Sequence, residues 1–242
     1  MRIEVLRHTI LGTQEEKRVK GRLGFRILDV PSRPSKDTIR RLSKLPAANV
    51  ADVMGRFGSM DPGIKPVDSR MRVCGPAVTV LARPGDNLMA HKAIELAAPG
   101  DVIVVNTGNC TYSAIWGELM THAAMEVGLG GLVVDGAVRD KTELTEIGWP
   151  VFSRTIVATS CDKDGPGEIN VPIACGNVVV NPGDVVLGDE DSVVVIPREW
   201  ADRVADMAEK KAEEETSRIK EIHSGKPFKD DINATLRAKG VI

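Results

Sequence analysis

Arg139 and Asp140 stand together just past an apolar run, and Gly117-Glu118-Leu119-Met120 opens a helical pattern upstream, with 22 positions from Gly117 to Arg139. An arginine presents a planar fork that fits a carboxylate or an enolate oxygen. An aspartate beside it is a hard oxygen donor suited to Mg2+ or Mn2+, cations that keep several waters and take few protein ligands. At a helix start, unpaired backbone N–H groups and the positive end of the dipole favour a carboxylate, and a glycine lets it come close. Together the two segments describe an anion site with a metal. An Arg-Asp dipeptide alone is more often a surface ion pair at a strand end. The glycine loop, its spacing and the acidic Glu143 shift the balance toward chemistry.

Other reactive side chains read more plainly. Lys141 would need a desolvating environment to serve as a Schiff-base amine, and it lies in a charged stretch, so it reads as solvated. Gly128-Leu-Gly130-Gly131 joins a helix to a following strand, the reverse of the order that cradles a phosphate, and reads as a helix cap and turn. No glycine-rich loop after a first strand offers a place for a methyl donor. His122 lies one turn after the loop and could carry a proton or simply pack, while His8, His91 and His223 form no ligand spacing with it. Cys110 and Thr111 precede the loop and could line the pocket or be structural. The run Glu213-Glu214-Glu215 has the pattern of a solvated face.

The elements that must hold this site follow from periodicity. Residues 1 to 35 alternate charged and apolar types up to the Pro31 to Pro34 boundary and read as an arm. Ser35 caps a predicted helix through about Leu45, and Ala47 to Phe57 predicts a second, ended by Gly58. Met71 to Ala82 reads as a strand interrupted at Gly75-Pro76. Helix over Leu88 to Ala98, strand over Asp101 to Asn106, helix over Ala114 to Val127 and strand over Gly131 to Asp135 follow in turn, the second helix placing Trp116, Met120, Ala123, Ala124 and Val127 on one face. A short helix over Lys141 to Ile147, a strand over Val151 to Val157 and several short strands from Ile169 to Ile196 complete an α/β pattern with more than one sheet layer. Arg198 to about His223 predicts a long charged helix. Pro-Gly-Asp recurs at 84, 99 and 182 as a turn signal, and the last two lead into similar strands.

Composition removes several classes of function. With 42% apolar residues among 242, the chain buries a substantial core. Thirty-two basic residues against 34 acidic ones give a net charge of -2, which offers no field for capturing nucleic acid, and 3% aromatics leave few base-stacking platforms. Four scattered cysteines form no metal or disulfide framework and fit a reducing compartment. Without a signal-like start or a membrane-length apolar stretch, a soluble cytoplasmic protein is expected.

The segment from Trp116 to Glu143 resembles the HMG/CHA aldolases (4-hydroxy-4-methyl-2-oxoglutarate and 4-carboxy-4-hydroxy-2-oxoadipate aldolases), which share the fold of RraA, the regulator of ribonuclease activity A. The resemblance covers about residues 45 to 200. It implies an RraA-like layered β/β/α fold of the swivelling-domain type: a single domain over residues 36–197, with an arm at 1–35 and a C-terminal helix and tail at 198–242. It further implies a class II pyruvate aldolase with oxaloacetate decarboxylase activity and Mg2+ or Mn2+ as cofactor. Gly117, Glu118, Leu119 and Met120 would bind the substrate carboxylate, and Arg139 would hold the substrate and steady the enolate. Asp140 would bind the metal directly, and Glu118 and Glu143 would act through its waters. A small 2-oxo acid would be the substrate of a homotrimer or hexamer whose site lies at a subunit interface, completed by Glu213, Glu214 or Glu215 of a neighbour. The alternative within the same fold is a non-catalytic regulator that binds a ribonuclease.

Overall fold

In a computed structural model, residues 20–242 of the chain are described. The centre is a parallel sheet of β2 (Val73–Ala82), β3 (Val102–Trp116), β4 (Gly131–Val138) and β5 (Val151–Ile156), arranged β5-β4-β3-β2. Its crossovers are α3 (Leu88–Leu96), α4 (Glu118–Glu126) and α5 (Lys141–Ile147), and all three pack on one face. The short β1 (Lys65–Pro66) adds to the β5 edge, and β6 (Gly167–Ile169) pairs with the end of β2.

β2 exchanges one ladder for another along its length. Its first half, Val73 to Pro76, pairs with β9 (Val185–Gly188), and its second half, Ala77 to Leu81, pairs with β3. The expected interruption at Gly75-Pro76 is thus the point of exchange inside one strand. A side chain at Gly75 would stand 2.3 Å from the Gly100 carbonyl, and Pro76 carries no N–H for a ladder. β9 continues to β10 (Val193–Ile196), while β7 (Ile173–Cys175) and β8 (Val178–Val180) form a separate hairpin.

The period-2 alternation of these strands separates three cores. Ile103, Val105, Leu132 and Val134 face α3, α4 and α5. Val102, Val104, Val133 and Phe152 face Ile173, Val180, Val186 and Val193 across the two sheet layers. Val185, Leu187, Val194 and Ile196 point outward again and are covered by α1 (Lys36–Leu42), α2 (Ala47–Val53) and the start of α6 (Ala201–His223). The expected β/β/α layering is present, with this outer helical layer added. Ser35 caps α1 as its sequence position demands, accepting from Thr38 N–H.

The three Pro-Gly-Asp turns share one construction. Gly85, Gly100 and Gly183 take left-handed backbone, and the aspartate that follows each is buried and accepts backbone N–H groups. The last two lead into strands and the first into α3, each as expected. Of the arm, residues 20 to 35 lie across the body. Arg26 forks onto the buried Glu168, Arg33 forks onto the buried Asp101, and Leu28 N–H donates to the Ile169 carbonyl. Residues 1 to 19 of the arm lie outside the described residues.

Two expectations are corrected. The apolar run Ala114 to Trp116 continues β3, and α4 begins only at Glu118. The buried face of α4 is therefore Met120, Thr121 and Ala124, and Ala123 and Val127 are exposed. The tail also forms an unanticipated helix, α7 (Asp230–Ala238).

Candidate active site

Parallel strands gather ligands at their carboxyl ends, and here four such ends meet. A cleft of about 240 Å3 is lined by Asn87 and His91 after β2, by Trp116, Gly117, Leu119 and Met120 after β3, by Arg139 and Asp140 after β4, and by Ser160, Cys161 and Lys163 after β5.

The β3 and β4 ends are tied together by Arg139 N–H, which donates to the Trp116 carbonyl at 3.0 Å. Gly117 then stands extended before α4, and a side chain there would place its Cβ 2.4 Å from Asp140 Oδ2 and 3.1 Å from Arg139 Cγ. Glycine is required by space rather than by backbone angle. It lets Asp140 reach the helix start, where Glu118 N–H donates to Oδ2 at 3.0 Å. Thr121 N–H to the Gly117 carbonyl, 3.1 Å, is the first backbone bond of α4, so the amides of Leu119 and Met120 have no acceptor within the helix. They are the donors available to an anion in the cleft.

Asp140 takes left-handed backbone, φ 61° and ψ 48°, and its carbonyl accepts Leu144 N–H to start α5. An aspartate tolerates this conformation at a cost of about 1 kcal/mol. The turn aims Oδ2 back at α4 and leaves Oδ1 without a donor among the described residues. Arg139 Nε lies 3.5 Å from Oδ2, too far for a formed ion-pair hydrogen bond, and its side chain is 40% exposed. The guanidinium is therefore free to receive a ligand.

Of the residues expected at the site, Gly117, Leu119, Met120, Arg139 and Asp140 converge on the cleft. Glu118 contributes its amide. Its carboxylate stands beside His122, 3.8 Å away, and is not among the lining groups. Glu143 is exposed in the first turn of α5 and also stands outside the lining, as do Cys110 and Thr111. Glu215 is held within this chain by Asn49 and Lys211, Glu214 by Lys210, and α6 contributes nothing to the cleft among the described residues.

The opposite wall was not read from sequence. Asn87 and His91 are spaced i,i+4 around the start of α3, a signal visible in the chain, whereas Ser160 to Lys163 arrive from a loop with no motif. Asn87 Nδ2 donates to the Ile115 carbonyl at 3.0 Å and to Met120 Sδ at 3.4 Å, linking α3 to the α4 turn. Burial, then the charge of Lys163, lowers the His91 pKa and favours its neutral form. Burial raises the Cys161 thiol, which disfavours a thiolate nucleophile.

A divalent cation fits the donor set in one restricted sense. No cluster of three His, Cys, Asp or Glu side chains exists among the described residues, so a zinc-type cage is absent. Asp140 Oδ1, which accepts no hydrogen bond among the described residues, offers a single hard ligand of the kind Mg2+ or Mn2+ accepts alongside waters. No helix among the described residues is long and apolar enough to cross a membrane.

Comparison with known proteins agrees with this architecture. The RraA-like (Aldolase/RraA) family model matches residues 47–195, from α2 into β10. A relative from Halalkalibacterium halodurans, named "Putative 4-hydroxy-4-methyl-2-oxoglutarate aldolase", is 38% identical over 187 residues, 77% of this chain and 89% of the relative. An uncharacterized protein from Pseudomonas syringae superposes with a TM-score of 0.71 at 29% identity, covering 82% of this chain and 95% of its own. Streptomyces coelicolor RraAS2, described as an unusual member of the RNase ES inhibitor RraA protein family, gives a TM-score of 0.69 at 30% identity, covering 77% and 98%. With a family match over more than half its length and these relatives, the chain belongs to the RraA-like, Aldolase/RraA family.

Proposed function

We propose that this protein is a divalent-metal-dependent lyase that cleaves a 4-hydroxy-2-oxo acid to pyruvate and a second oxo acid, with oxaloacetate decarboxylation as a side activity. The observation that carries the reading is the convergence of the free Leu119 and Met120 amides, the loosely held Arg139 guanidinium and the half-engaged Asp140 carboxylate on one small cleft. The aldolase name carried by the relative supports the same reaction class.

The amides at the start of α4 bind the 2-oxo acid's carboxylate. Asp140 would hold the cation directly, with Glu118 and Glu143 reaching its waters. When bound, the cation draws electrons from the breaking C–C bond. Arg139 disperses the charge that develops on the enolate oxygen, as a donor already in place where that charge appears. In the trimer or hexamer that the family resemblance implies, a neighbouring copy would cover Leu119, which is 78% exposed beside the cleft.

Pyruvate release from a panel of 4-hydroxy-2-oxo acids and from oxaloacetate, with Mg2+ or Mn2+ and with EDTA, tests the proposal. Metal-dependent release from at least one substrate is expected, and none from any would refute it. The likeness to RraAS2 favours a second reading, regulation by binding a ribonuclease. Stoichiometric capture of an RNA-degrading enzyme together with no turnover would select it.

A further inference from the structure

We propose that Thr121 is the positioning residue that sets Asp140 for cation binding, an inference that rests on the metal-dependent reading above. Thr121 is fully buried and makes two bonds to one atom: its N–H and its hydroxyl both donate to the Gly117 carbonyl, each at 3.1 Å. That carbonyl has two lone pairs, and both are filled. The hydroxyl's own direction is fixed because Trp116 Nε1 donates to it at 2.8 Å. The indole is held in turn by stacking on Trp149, with ring centroids 6.1 Å apart and planes within 5°.

The consequence passes through one peptide unit. The Gly117 carbonyl and the Glu118 N–H belong to the same planar trans amide and point in opposite directions. Pinning the carbonyl toward Thr121 therefore aims the N–H at Asp140 Oδ2, its acceptor at 3.0 Å. Oδ2 is engaged and Oδ1 is left for the cation. The path runs from the Trp116 indole to the Thr121 hydroxyl, to the Gly117 carbonyl, to the Glu118 amide and so to the carboxylate. Thr121 touches neither substrate nor metal; it fixes the orientation of the group that does.

Titration of Mn2+ into the full chain, followed by the EPR signal of free Mn2+, tests this without any turnover. Thr121→Val is expected to raise the dissociation constant about tenfold, the lower end of the loss seen when an outer partner of a metal ligand is removed. Thr121→Ser keeps the hydroxyl and is expected to stay within about twofold of the wild type. Trp116→Phe removes the donor that orients the hydroxyl, together with part of the ring that stacks on Trp149, and is expected to raise the constant about threefold, which keeps the proposal testable should Thr121→Val not fold. Wild-type affinity in both Thr121→Val and Trp116→Phe would overturn the positioning role and leave the metal reading intact. Loss in Thr121→Ser equal to that in Thr121→Val would also overturn it, because the variant that keeps the hydroxyl would then fare no better than the one that lacks it. Absence of Mn2+ binding by the wild type would overturn the metal reading itself.

Discussion

Asp135 and Asp140 leave the same strand five positions apart, each with an arginine beside it, and they have opposite fates. Asp135 is buried and fully satisfied: Oδ1 receives Arg154 Nε, Oδ2 receives Gly176 N–H at 2.7 Å, and Arg154 reaches on to Asp61 at 3.1 Å. The Arg154 guanidinium is pushed above its ordinary range by its bond to Asp135, and Asp61 is held below the usual carboxylate range by Gly63 N–H and then Arg154. Asp140 has one amide on one oxygen and an arginine that stands off at 3.5 Å. A pair that satisfies itself has nothing left for a ligand. The open pair, kept apart by a left-handed turn and a glycine, leaves capacity for a ligand, which the proposed substrate and cation would take.

Substitutions should separate these roles. The largest effect is expected from Asp140→Asn, which should lower kcat/KM for pyruvate release about a thousandfold while shifting stability by no more than about 0.5 kcal/mol, read by steady-state kinetics and urea denaturation. Arg154→Ala should do the reverse. It strands the buried Asp135 and should cost about 3–5 kcal/mol of unfolding free energy, read by urea denaturation, with activity per folded molecule unchanged. Gly117→Ala would drive a methyl against Asp140 Oδ2, and displacing the carboxylate by even about 1 Å should cost about a hundredfold in kcat/KM. Equal damage to stability from Asp140→Asn and Arg154→Ala would erase the distinction between the two pairs.

A smaller, pH-dependent effect belongs to the arm. The Arg26 fork holds the Glu168 carboxyl below its ordinary value, opposed by burial and helped by Gly24 N–H. Its folded pKa is depressed, so its stabilisation is present above the ordinary glutamate range and lost as the pH falls through that range toward the folded value. Limited proteolysis of the arm should accelerate in that acid window for the wild type. Glu168→Gln should remove the pH dependence, and an unchanged profile in that variant would contradict the assignment.

Much of this was legible because it is local. Gly117 to Met120, Arg139 and Asp140 could be read as one anion site since a helix start and a strand end each carry their chemistry within a few residues. The β2 to β5 strands were legible from their β-branched runs. Ala114 to Trp116 was misread because a strand buried on both faces and a buried helix start share the same continuous apolar pattern. Thr121 escaped notice because its role depends on a carbonyl four residues back and an indole held by Trp149, 33 positions downstream of Trp116. The Ser160 to Lys163 wall is placed by Asp86, whose carboxylate receives Asp164 and Gly165 N–H from far along the chain. Such non-local hydrogen bonds leave no periodic trace.

Enolate formation can be tested without knowing the second oxo acid. In D2O with Mg2+, the protein should exchange the methyl protons of pyruvate, seen by 1H NMR as loss of the methyl signal, and both EDTA and Asp140→Asn should abolish that exchange. A methyl signal that the Mg2+-loaded wild type leaves unchanged would contradict the proposed chemistry.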